Sequence, residues 1–308
     1  MRMYNAGARS SRDSPSDLEG QMPSVWLEAI RPKTLSVGVV PVLVGTSAAH
    51  EFHAWRVVGA LVIAVTLQIG VNLANDYFDG RRGVDTPERT GPRRAVASGL
   101  VAPAAMRRAM LGTFATAGIV GSVLAWQVSW LLLPVGALAI ISAVLYSGGP
   151  RPYASAGLGE VFVFIFFGVV ATVGSTFIQD LTVSAVALMA SIPVGLLAVA
   201  VLMANNLRDI PTDTDAGKMT LAVRLGEHRT RLAFIAILVV SVLMALPVAM
   251  LRQSWLPALS LGALPLILRP AQLVWTRSGR DLIPALVGTA RLQLVFGLLL
   301  SLGLAMSR

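Results

Sequence analysis

The chain of 308 residues contains no cysteine. That excludes disulfides, thiolate nucleophiles and cysteine-ligated metals, and it leaves the compartment open. Charge is the second scarcity: Asp, Glu, Lys and Arg make up 13% of the residues, where a soluble domain carries about 25%. Short alternating segments of the kind that build membrane β-barrels are missing as well. The Arg-, Ser- and Pro-rich stretch 1–24 has no apolar core, so it does not read as a signal peptide. It reads instead as a disordered cytoplasmic tail, with one folded domain over 25–308.

What remains is apolar. Hydrophobic residues reach 55%, mean hydropathy is +0.71, and the apolar residues come in long blocks. Blocks of about 17–25 residues cross a bilayer as helices, so an all-α polytopic membrane protein is predicted. Nine spans are expected, near Leu35–Ala49, Val57–Tyr77, Ala104–Ala125, Trp130–Ser147, Gly157–Ile178, Val183–Asn206, Leu232–Leu251, Trp255–Leu268 and Pro284–Met306. The eighth is short and holds Pro257 and Pro265, and Arg291 suggests that the ninth begins late. With the N-terminus inside, 22 of the 25 basic residues fall on inner segments and 3 outside, as the positive-inside rule demands. The net charge of +9 is thereby assigned to topology and anionic lipid headgroups, not to nucleic acid, for which no binding motif is present. A multi-pass protein of the cell membrane is expected, with its polar loops and its chemistry on the cytoplasmic side.

Two acidic runs interrupt this pattern. In the first, Asn72, Asn75, Asp76 and Asp79 are spaced to share one helix face, and Asp85 follows. Clustered carboxylates repel one another, more so at low dielectric, and a divalent cation removes the penalty. Magnesium fits, because it takes hard oxygen ligands and is commonly completed by substrate phosphates. The bland alternative is a polar helix end at the membrane interface, although acids are disfavoured at a helix C-terminus. The second run contains Asn205, Arg208, Asp209 and Asp213, with Pro211 breaking helical regularity and Lys218 following. Asn72 and Asn205 occupy corresponding places in a faint parallel repeat. Lys218 and Arg224 can neutralise a leaving diphosphate, or simply mark the inner side. A third segment runs from Tyr146 through Gly148, Gly149, Pro150, Arg151 and Pro152 to Tyr153. It is a turn whose one basic residue, Arg151, is a phosphate candidate. Glu160 reads by default as a helix N-terminal charge.

These segments resemble the UbiA superfamily of intramembrane aromatic prenyltransferases over roughly residues 24–306. The resemblance rests on Asn72, Asp76 and Asp79 in the first run and on Asp209 and Asp213 in the second. The fuller strings, Asn72 through Asp85 and Gly217 through Gly226, together with Arg31-Pro32-Lys33-Thr34-Leu35, are most similar to one branch. That branch makes demethylmenaquinone from 1,4-dihydroxy-2-naphthoate. The commonest form of the first motif places an acid four residues after its last Asp. Here Gly83 stands there and the acid is Asp85, the longer spacing of the naphthoate branch.

The resemblance implies a nine-helix bundle around a central cavity, with cytoplasmic cap loops over it. It implies Mg2+ held by Asp76, Asp79, Asp209 and Asp213, with a prenyl diphosphate and 1,4-dihydroxy-2-naphthoate as substrates. Asn72, Asn75, Asn205, Arg151, Arg208, Lys218 and Asp85 would contact substrate, and the lipid tail would lie in a groove open to membrane lipids. Tyr146, and with it Tyr77, would face the allylic cation, unless each is only an interfacial anchor. Two other readings stay open: the same chemistry on another acceptor (4-hydroxybenzoate, homogentisate, haem or a sugar phosphate), and a cation-coupled transporter. Transporter sites usually sit near the bilayer midplane, whereas these acids lie at helix ends.

Overall fold

The computed structural model describes residues 25–83, 91 and 94–308. The expected tail 1–24 and the candidate Asp85 lie outside the described residues. Among the described residues there is helix and no strand. Seven helices are long and apolar enough to cross a membrane. They are α2 (Ala54–Arg82), α3 (Pro103–Gln127), α5 (Gly159–Asp180), α6 (Ala185–Arg208), α7 (Glu227–Arg252), α8 (Leu256–Thr276) and α9 (Gly279–Met306). Two shorter apolar helices, α1 (Ser36–Ala48) and α4 (Leu132–Ser147), overlap the first and fourth expected spans.

Two boundaries differ from expectation. The eighth span does not stop at Leu268. Its first part, Leu256–Ile267, is wound as a 3-10 helix, and an α-helix continues over Leu268–Thr276. Arg269 and Gln272 mask this continuation in the sequence, but on a helix a long side chain can carry its polar end to the interface. The ninth helix does not begin late. It runs unbroken over Ile283–Met306, and Arg291 stands exposed on its flank.

A hydrocarbon layer is about 30 Å thick, and α2, at 29 residues, is about 43 Å long. Its last turns therefore stand beyond the apolar layer, and those turns carry Asp76 and Asp79. The helix stops at Gly83, which adopts the left-handed φ of 67° that glycine accepts at a C-terminus. Helix α6 is the hub: 67% of its apolar window is buried, the largest share among the long helices. Small residues let backbones approach closely, which is how membrane helices gain packing energy where lipid offers no hydrophobic drive. A methyl group at Gly168 of α5 would sit 2.6 Å from the Cα of Gly195 of α6. At Gly45 of α1 it would overlap the Thr172 carbonyl of α5, and at Gly303 of α9 the Leu256 carbonyl.

One end is sealed by polar contacts. The Asp180 carboxylate accepts from the amides of His50 and Glu51 at 2.9–3.0 Å, and Arg56 donates to the Ile178 carbonyl at 2.7 Å. Exposed Trp55, Trp126, Trp130 and Trp255 lie at helix ends on this side, with Trp126 and Trp130 edge to face at 5.4 Å. Such indoles sit at membrane–water boundaries. At the other end the loops pack on one another: the Met219 amide donates to the Ser155 carbonyl at 2.9 Å.

Candidate functional site

The acidic runs occupy the C-terminal ends of α2 and α6. Asn72, Asn75, Asp76 and Asp79 all lie on α2, and all four are buried. Helix α6 ends at Arg208, the chain turns at Asp209, and a short helix restarts over Ile210–Asp215 with Pro211 in its first turn. Pro211 breaks the long helix yet suits this position, where its missing N–H costs nothing.

The two runs converge. Lys218, which follows the second run, donates from Nζ to Oδ2 of Asp79 in the first at 3.0 Å. Asp79 is buried and two guanidiniums also approach it, Arg94 at 3.9 Å and Arg82 at 3.8 Å. Arg208 forks onto Asp209, its Nε reaching Oδ1 at 2.7 Å and its Nη2 reaching Oδ2 at 2.6 Å. The same Nη2 donates to Oδ1 of Asn205 at 2.8 Å. Buried carboxylates are costly unless paired, and these two are paired with cations from their own surroundings.

Asp76 is held differently. Its Oδ2 accepts from the Ala95 amide and its Oδ1 from the Val96 amide, both at 2.9 Å. It therefore fastens the loop that carries Arg94 against α2. Asn72 donates to the Ile30 carbonyl at 2.9 Å, tying in the segment before α1, and Ser147 Oγ donates to Oδ1 of Asn75. Asp213 is half-buried on the short helix, and its carbonyl accepts from the Lys218 amide at 2.8 Å. Arg151 is exposed, and among the described residues no ion pair joins it to either acidic run. Glu160 is buried in the first turn of α5 and accepts from Asn206 Nδ2 at 2.9 Å, so it carries a tie to α6 besides its helix-end position.

Beside this polar cluster lies a cavity of about 490 Å³, walled by α1 to α6. Asn72, Asn75, Asn205, Tyr146 and Arg31 line its near end, and beyond them the walls are almost wholly apolar. Arg31 is its one charged lining residue among those described, and it holds a left-handed φ of 57°, uncommon for a side-chain-bearing residue. An aromatic row forms one wall. Tyr146 meets Tyr153 edge to face at 5.5 Å, Tyr153 stacks on Phe162 at 4.0 Å, and Phe162 stacks on Phe166 at 6.2 Å. The row lies where α5 widens into a π-helix over Phe164–Val170, a distortion common at functional sites. Burial pushes the Tyr153 hydroxyl above its ordinary pKa, and that hydroxyl donates to the Ser142 carbonyl at 2.9 Å. It is thus a neutral donor at any ordinary pH.

Sequence reasoning did not single out Arg94, Phe162 or Phe166. Arg94 is one of seven basic residues between Arg81 and Arg108, with no spacing to distinguish it. Phe162 and Phe166 are four apart on an apolar span, a weak signal of a shared face. Tyr77, weighed as a cation-facing ring, does not line the cavity; its hydroxyl accepts from Arg81 at 3.1 Å.

Among the described residues no three acidic or imidazole side chains gather closely enough to form a metal cage by themselves. The carboxylates that are present, Asp79 and Asp209 at the ends of α2 and α6, are hard oxygen donors of the kind magnesium takes, typically one or two with substrate phosphate completing the shell. They do not suit a closed structural metal site.

Comparison with known proteins agrees with this geometry. Residues 38–299 match the model of the UbiA prenyltransferase family. The chain is 45% identical to the 1,4-dihydroxy-2-naphthoate octaprenyltransferase of Mycobacterium tuberculosis, over 91% of this chain and 96% of that protein. It is 38% identical to the protein of the same name in Escherichia coli, over 92% and 96%. Among solved structures, a UbiA homolog from Aeropyrum pernix superposes with a TM-score of 0.68 at 16% identity, over 88% of this chain and 97% of that one. A UbiA homolog from Archaeoglobus fulgidus, solved with DMAPP and Mg2+, gives 0.61 at 15% identity, over 90% and 99%. At such identities these structures speak to the fold, while the family match and the close relatives speak to descent: the chain belongs to the UbiA prenyltransferase family.

Proposed function

We propose that this enzyme transfers a polyprenyl group from a prenyl diphosphate to 1,4-dihydroxy-2-naphthoate, the acceptor in its relatives' names. The observation that carries the reading is the Lys218–Asp79 pair at 3.0 Å. It joins two acidic runs, far apart in the chain, at the mouth of an apolar cavity.

In this reading the diphosphate binds between the ends of α2 and α6. Asp79 and Asp209 would hold magnesium there, Asp213 would contribute from the rim, and Asp76 would contribute through the lone pairs its two amide bonds leave free. Bound magnesium supplies charge neutralisation of the departing diphosphate. Lys218 exchanges its bond to Asp79 for a diphosphate oxygen, and Arg208 stays forked on Asp209, keeping that carboxylate aimed. Arg151 meets the diphosphate from the loop. Asn72, Asn75 and Asn205 orient phosphate oxygens or water at the near end of the cavity.

The donor C1–O bond breaks and diphosphate leaves with the bonding pair. The electron-rich naphthoate ring forms the new C–C bond to C1, beside the Tyr146 face, which favours positive charge. Carbon dioxide departs and the ring regains aromaticity. The product at this stage is the quinol; demethylmenaquinone is two electrons further oxidised, by an acceptor outside this site. The rest of the cavity shelters the tail and keeps water from the cation.

We assign nine spans with the N-terminus and the loops over the cavity in the cytoplasm, since α1 and α4 lie in series with the longer helices. A transporter reading is disfavoured because the charged groups sit at one end of the cavity. The test is an assay of purified protein with 1,4-dihydroxy-2-naphthoate and prenyl diphosphates. The expected product lacks the carboxylate, forms only with magnesium and disappears with EDTA. Turnover of 4-hydroxybenzoate in preference to the naphthoate would move the assignment to another acceptor.

A further inference from the structure

Resting on the prenyl-transfer reading, we infer that Gly136 and Gly174 set the length of tail the cavity accepts, acting at two depths along a seam between α4 and α5. Both glycines line the cavity, and a Cβ added at either meets nothing within 4 Å. They are unlike Gly38, which lines the same cavity but where a Cβ would press to 3.0 Å from the Ala64 carbonyl. Close packing therefore does not explain glycine at 136 and 174, nor does backbone conformation, since neither has a positive φ. Each is an open place in a wall.

The wall itself is incomplete. Helix α4 packs on α2 and α3 and not along α5. Leu133 and Val135 line the cavity and are 39% and 41% exposed, which with the absent packing of α4 along α5 leaves this seam as the opening we assign between the cavity and the lipid. The occupant is the donor's own tail. The cavity begins at the diphosphate end, is apolar beyond it, and is too short for a long chain. From Tyr146 to Leu132 along α4 it measures about 21 Å. Three backbone bonds of extended chain span about 3.5 Å, so the four bonds of an isoprene unit span about 4.5 Å. The cavity thus holds between four and five units by the same measure, and a longer tail must leave through the seam.

The two glycines mark two levels. Gly136 lies ten residues from Tyr146 on α4, hence about 15 Å from the reaction level. Gly159 abuts the Tyr146 ring, with its Cβ position 3.6 Å from Cε2. Gly174, fifteen residues further along α5, is about 22 Å away. A bulky side chain at the first level should stop a tail of about three units, and at the second a tail of about five.

The experiment compares wild type, Gly136→Phe, Gly174→Phe and, as a lipid-facing control outside the cavity, Gly112→Phe. Donors are geranyl, farnesyl, geranylgeranyl and octaprenyl diphosphate, and the readout is kcat/KM for each relative to geranyl. Gly136→Phe should keep geranyl transfer and lose about tenfold or more with geranylgeranyl and octaprenyl donors. Gly174→Phe should keep geranylgeranyl transfer and lose octaprenyl alone. Gly112→Phe should match wild type throughout. Variants that fold by size-exclusion chromatography and treat all donors as wild type does, or lose all donors equally, overturn the inference. So does failure of both to fold, because it denies the open space; Gly136→Leu repeats that check with a smaller group. A wild type that transfers no prenyl group from any donor sinks the function reading itself, a result distinct from loss of length discrimination.

Discussion

Asp76 and Asp79 are three residues apart on one helix, and their surroundings separate them. Asp76 spends both oxygens on backbone amides, while Asp79 is met by Lys218, Arg94 and Arg82. Asp79→Asn should therefore lower turnover by about 10²–10³, the cost of one group that stabilises developing charge, and should also lower the melting temperature, because it takes the carboxylate charge away from buried cations. Asp209→Asn should do the same. Asp76→Ala should act on the fold, since it strands two amides at about 1–3 kcal/mol each. Its mark is a lowered melting temperature in detergent, and the protein that remains folded should also turn over more slowly, because Asp76 contributes to the magnesium site as well. Equal melting curves for Asp76→Ala and wild type would remove the loop-fastening role. Residue types and spacing made the two runs legible in the sequence. Which acid is tied to backbone amides and which to cations was not, because the partners Ala95, Val96 and Lys218 reach back from elsewhere in the chain and carry no local signature.

At the level of elements, hydropathy reveals where helices are but not how near they come. The long helices α2, α3, α5, α6 and α7 were readable because about 20 apolar residues in a row have few other fates. The extension of α8 past Leu268 was hidden by Arg269 and Gln272, and the π-helical turn in α5 has no periodicity to betray it. Close crossings at small residues were equally silent, although they decide packing. Gly168→Leu should wedge α5 from α6 against Gly195, costing about 1–3 kcal/mol or more, read as a drop in melting temperature and in yield of folded protein. Gly174→Ala, two turns along the same span and facing open space, should leave both unchanged. If Gly168→Leu melts like wild type, the α5–α6 contact is not as tight as described.

For the whole molecule, the proposed orientation follows from basic residues gathered at the acidic end. The absence of cysteine makes this simple to check. Glu51→Cys and Asp215→Cys replace exposed residues at opposite ends. In intact cells an impermeant maleimide should label the first and spare the second; the reverse pattern would turn the protein over. The wider account depends on α2 and α6 bringing their acids to a single ligand, and a double-mutant cycle measures that. Titrate inorganic diphosphate, with and without magnesium, into wild type, Asp79→Asn, Asp209→Asn and the pair. Groups acting on one metal-bound ligand should couple, so binding should require magnesium and the double variant should lose little more than either single one. Binding indifferent to magnesium, with losses at the two positions that simply add, would contradict the account.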